Sequence, residues 1–107
     1  MSIIKQDYGE IGGSGINIDS LVLALTNYRT VDSDSSGNIS GFTIGKTYFI
    51  STSRGNTTPV GITSGATELW KCTFSDGWSI YLGIVVATAT TIKFYGSGNG
   101  TFIAQLD

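Results

Sequence analysis

The chain contains no histidine, a single cysteine, a single proline and a single methionine, and only 13% of its 107 residues are charged. Each shortage closes a class of function. Without histidine there is no His-based triad, no imidazole general base and no His-ligated zinc or iron. One cysteine makes neither an intrachain disulfide nor a thiolate cluster. Cys72 stands between large apolar residues in "ELWKCTF" and is predicted to be an inert, buried core thiol. The six cations, Lys5, Arg29, Lys46, Arg54, Lys71 and Lys93, stand singly and build no basic patch. With a net charge of −2 the chain is not expected to bind nucleic acid. No apolar run approaches the roughly 20 residues of a spanning helix, so membrane insertion is not expected either. The first residues hold Lys5 but no apolar h-region, and synthesis in a bacterial cytoplasm without a signal peptide is the expectation.

What is abundant points to strands. Gly, Ser and Thr make up more than a third of the chain, and fourteen threonines accompany a good supply of Ile, Val, Tyr, Phe and Trp. The usual fillers of exposed helix, Ala, Glu and Lys, are scarce. Residues 1–17 show no sustained period and read as an extended, glycine-rich arm. In "IDSLVLALTNYRTV" the alternation of Leu21, Leu23 and Leu25 against Val22, Ala24 and Thr26 suggests a strand. A short helix capped by Asp19 or Ser20 is the alternative.

From Lys46 onward short strands follow at regular intervals. "KTYFISTS" and "TELWKCTF" alternate, the latter placing Trp70, Cys72 and Phe74 on one side. Pro59 makes "VGIT" an edge strand. Ser75-Asp76-Gly77 forms a hairpin turn. In "WSIYLGIVVATA" the residues Trp78, Ile80, Leu82, Ile84 and Val86 are in phase, with Tyr81 and Val85 on a second face, so this strand should be central. "TTIKFY" and "TFIAQL" close the series around Gly96–Gly100. The fold expected is an all-β, antiparallel β-sandwich of jelly-roll type over residues 18–107, preceded by the 1–17 arm.

Candidate chemistry is sparse. "GEIGGSG" near the start lacks the lysine and hydroxyl pair of a phosphate-binding loop and has no βαβ setting. In "DSDSSGNISGFT", Asp32, Asp34, Ser36, Gly37 and Asn38 fall at the first, third, fifth, sixth and seventh positions of an EF-hand loop, which makes them a candidate Ca²⁺ site. The twelfth position is Thr43 rather than a bidentate glutamate, so affinity would be weak; the plain reading is a polar loop bonding its own backbone. Of the eight acids only Glu68 lies in a predicted strand, and no carboxylate pair suited to glycoside cleavage is evident. The chain is therefore not expected to be an enzyme and no cofactor is implied beyond that possible Ca²⁺. Tyr28, Tyr95 and Trp78 are candidates for stacking on sugar rings; for Trp70 and Trp78 the competing reading is the core of a small sandwich.

The opening residues "MSIIKQDYGEIGG" resemble the start of small tail-associated virion proteins of phages and prophages of Gram-positive and gut bacteria. The stretch "ATTIKFYGSGNGTFIAQLD" is similar to the closing hairpin of phage receptor-binding and fibre-tip domains. The resemblance implies a non-enzymatic virion component, commonly a homotrimer, that contacts other virion proteins and in some cases a host-surface glycan. On that reading Ile3, Ile4 and Tyr8 of the arm pack on a neighbouring subunit, and Val22, Tyr81, Val85 and Ile103 supply part of a contact between copies. The rival is a free-standing, monomeric carbohydrate-binding module with the Asp32 and Asp34 loop holding Ca²⁺ beside an aromatic platform.

Overall fold

The computed structural model describes residues 18–34, 36–54, 60–95 and 100–107. The arm with Ile3, Ile4 and Tyr8, and Pro59 with the turn before it, lie outside the described residues. Among the described residues one short helix, α1 (Ile18–Ala24), precedes eight strands. These are β1 (Tyr28–Val31), β2 (Asn38–Ser40), β3 (Thr47–Arg54), β4 (Gly61–Ser64), β5 (Ala66–Ser75), β6 (Ser79–Ala87), β7 (Thr91–Tyr95) and β8 (Thr101–Gln105). They form a five-stranded sheet in the order β1-β8-β3-β6-β5 and a three-stranded sheet in the order β2-β7-β4, all pairings antiparallel. First pairs with last, second with seventh and third with sixth, the nested winding of a jelly roll. The innermost pair departs from it, because β5 turns back on β6 instead of lying beside β4.

The Leu21, Leu23 and Leu25 segment is a helix, not the strand its alternation suggested. Leu and Ala are strong helix formers, and Asp19 in the first turn suits the helix N-terminus. Thr26 ends the segment: its hydroxyl donates to the Leu23 carbonyl at 2.7 Å, and the Asn27 amide donates to Ala24 at 3.0 Å. Leu23 is left 72% exposed, so the apolar alternation never faced the core.

Between the sheets lies one apolar cluster that includes Ile39, Phe42, Tyr48, Ile50, Tyr81, Val85, Ile92, Phe94 and Ile103. Tyr81, Val85 and Ile103, expected at a contact between copies, are thus core residues; of the four named for that role only Val22 is exposed. Strand β6 is central as expected, between β3 and β5, but its phase is inverted. Tyr81, Gly83, Val85 and Ala87 face the second sheet, and Ile80, Leu82, Ile84 and Val86 face outward. Both sets are apolar, so alternation alone could not orient the strand, and Gly83 hid the inward set by contributing no side chain.

Asp76 and Gly77 do form the β5–β6 turn, with Gly77 at φ 76° and the Asp76 amide donating to Trp78 at 2.9 Å. The last two strands are not a hairpin: β7 belongs to the small sheet and β8 to the large one, so the chain crosses between sheets after Tyr95.

Candidate functional site

The 32–38 loop is built around Asp34. Its Oδ1 accepts the amides of Ser36 and Asn38, both at 2.9 Å, and its Oδ2 accepts the Asn38 side-chain amide at 3.3 Å. The Asn38 amide hydrogen bond is the main force holding this carboxyl below its ordinary value; partial desolvation opposes it, and the Ser36 amide, the Asn38 side chain and the Gly37 amide add to the lowering. Gly37, at φ 84°, makes the turn and its carbonyl accepts the Phe94 amide at 2.9 Å. A Cβ there would overlap the Phe94 carbonyl, so only glycine fits. Asp32 is used differently: its Oδ1 accepts the Gly100 amide at 2.6 Å, tying this loop to the start of β8.

Asp32, Asp34 and Asn38 line one open cleft of about 530 Å³ with Ser40 and Thr91. The four candidate ligands are thus neighbours, but Asp34 and Asn38 are turned toward each other, and Ser36 is held by its amide. Among the described residues no three of His, Cys, Asp and Glu are grouped to share a metal ion. Asp34 closes the loop on its own backbone, while Asp32 fastens it to Gly100.

The three aromatic candidates do not converge. Tyr28 stacks on Phe102 with ring centroids 4.5 Å apart, on the outer face of the large sheet. Trp78 stands just before β6, 59% exposed, in phase with the outward Ile80. Tyr95 lies on the outer face of the small sheet, across from Gly61, whose missing side chain leaves room for the phenol. Tyr28 has the best-equipped surroundings, a second cleft of about 300 Å³ that it lines with Asn27, Arg29, Tyr48 and Gln105. Arg29 holds the cleft's wall: its Nη2 donates to the Ser40 carbonyl at 2.9 Å and its guanidinium lies 5.2 Å from the centre of the Phe42 ring. That latch joins β1 of one sheet to β2 of the other. No local pattern hints at it, since Arg29 and Ser40 are eleven residues apart.

Glu68 is engaged structurally. Its Oε2 accepts the Tyr81 hydroxyl at 2.6 Å, and its Oε1 lies 4.0 Å from the Lys71 ammonium. Burial, then the Glu68 hydrogen bond and charge, push the Tyr81 phenol far above its ordinary range.

Cys72 is exposed, contrary to the expectation of a core thiol, and the same correction applies to Trp78. Both belong to the outer face of the large sheet. Strand registry sets that face out in rows: Tyr28, Ala104, Phe49, Ile84 and Trp70 form one, and Thr30, Phe102, Ser51, Leu82 and Cys72 the next. Ser53, Ile80 and Phe74 form a third, nearer the β5–β6 turn. None of these residues is charged. Ile84 and Ala104 are nonetheless fully buried, each set between larger rings in its row.

The described residues therefore define a two-sheet, all-β sandwich wound as a jelly roll. The sequence matches no protein-family model, no curated protein and no solved structure.

Proposed function

We propose that this chain is a non-enzymatic, phage-type virion protein of structural or adhesive role, associated with a tail or fibre and assembled from several copies. The observation that carries the reading is the nested β1/β8, β2/β7, β3/β6 winding, an architecture that viral capsid and lectin domains share. This is an argument from fold, and it is joined by the resemblance of the first thirteen residues to the start of tail-associated virion proteins. The lack of histidine and the structural use of Glu68 by Tyr81 support a role without catalysis. A homotrimer is the assembly the resemblance implies. The cleft lined by Asn27, Tyr28, Arg29 and Gln105 offers polar groups close to β1 and supports a reading in which a host-surface glycan binds there.

Mass spectrometry of purified phage particles from a strain carrying the gene tests the virion role. The chain should be present in stoichiometric multiples, and its gene should lie among tail genes. Absence from intact particles overturns the reading. A glycan array probed with the full chain and with a Tyr28→Ala, Arg29→Ala variant tests the cleft, with signal lost in the variant.

A further inference from the structure

We infer that the outer face of the five-stranded sheet, over β8, β3, β6 and β5, is the surface on which a second copy of this chain packs. The inference rests on the self-associating reading above and names its contact. The observation is the combination of a charge-free face with large apolar side chains left in water at its β5–β6 end. Phe74 is 56% and Trp78 59% exposed, and Ile80 and Cys72 stand in the same patch. Phe74 and Ile80 are direct cross-strand partners, so this is a continuous patch and not scattered single residues.

Two features of the large sheet separate its edge from its face. The β5 edge is blunted: a bulge at Leu69 breaks its register with β6, and Lys71 stands in mid-strand. These are the devices that discourage a sheet from growing by edge pairing. The face has no such device. An uncharged face also offers nothing to a nucleic acid or an acidic peptide, whereas a second copy brings an apolar surface of the same composition. The size is adequate. Four strands about 4.8 Å apart, with about eight residues of about 3.4 Å each, span roughly 500 Å². Two copies then bury about 1,000 Å², the value a specific interface must clear. Assembly through this face alone is therefore concentration dependent. Trp78 is covered in it and is not available to a sugar.

Sedimentation velocity of the full chain from micromolar to hundreds of micromolar tests the inference. It is run on the native sequence, on a Phe74→Asp, Ile80→Asp variant, on a Trp78→Lys variant, and on Ile44→Asp as an equally exposed control between β2 and β3. Circular dichroism checks that each is folded. The native chain and the control should associate alike, with association at least tenfold weaker in both face variants. As a second readout, Cys72 of the native chain should react with a maleimide more slowly as protein concentration rises. Face variants that are folded and associate like the native chain overturn the inference and leave the assembling reading standing. A native chain that remains a monomer throughout overturns both.

Discussion

The Tyr81 side chain occupies the space that a side chain at Gly83 would need, two residues along the same inward face of β6. A Cβ built at position 83 overlaps the Tyr81 hydroxyl. The glycine lets the phenol reach Glu68 on the neighbouring strand, where it donates at 2.6 Å.

Gly83→Ala should therefore destabilise the domain by about 1–3 kcal/mol through overpacking in the core. Tyr81→Phe should cost less, about 1 kcal/mol, since it loses one hydrogen bond and Glu68 keeps access to water with its side chain 29% exposed. In the Tyr81→Phe background the alanine at 83 should be only partly relieved, because the overlapping oxygen is gone while the ring carbons Cζ and Cε1 still overlap the added Cβ. Urea unfolding of the two single variants and the double variant measures this coupling. Strictly additive costs would contradict the geometry.

Thr52 and Thr101, both buried, share a hydrogen bond of 2.9 Å between their hydroxyls across the large sheet's inner face. Replacing either by Val strands the other's hydroxyl and should cost about 1–3 kcal/mol. Replacing both should cost much less than the sum, since the shape is kept and no polar atom is left alone. Thermal melts of the three variants decide it.

The depressed Asp34 carboxyl makes loop stability depend on acidity in one direction. A carboxylate whose folded value lies below its ordinary 3.8 stabilises the fold above 3.8. That contribution is lost as pH falls from 3.8 through the lower folded value. An Asp34→Asn chain should be less stable than the native one at neutral pH, with the gap closing in acid. Carbon-13 titration of Asp34 should give a midpoint below 3.8. A midpoint above it would show that the Ser36 and Asn38 amides do not hold the carboxylate.

Cys72 should react completely with a thiol reagent in dilute, folded protein without denaturant, because it is exposed on the outer face. Reaction only after unfolding would place it in the core, as its neighbours in sequence suggested.

The fold was legible in the sequence because its signals were distributed: threonine-rich strands at regular spacing and the Asp76-Gly77 turn. The orientation of β6 was not, because alternation locates a core only when one face is polar, and here Ile80 and Leu82 are as apolar as Tyr81 and Val85. Cys72 and Trp78 misled for the same reason. They lie in apolar sequence on a strand face that the three-stranded sheet does not cover. The hydrogen bonds of Asp34 to its own loop's amides were legible from Asp, Ser, Gly and Asn at turn spacing. The Arg29 latch and the β7-to-β8 crossing depend on partners distant in sequence, which no local pattern records.

The position of β8 also sets when this molecule becomes a molecule. It is the last strand in chain order among the described residues, yet it lies between β1 and β3, and among those residues β1 has no other strand partner. Neither can complete its pairing until Thr101–Gln105 has been synthesised and has threaded between them. Loop closure over that span is entropically slow, so the large sheet should form late and as a unit. Until then its apolar residues on both faces stand open, and the nascent chain's main hazard is a neighbour in the same condition.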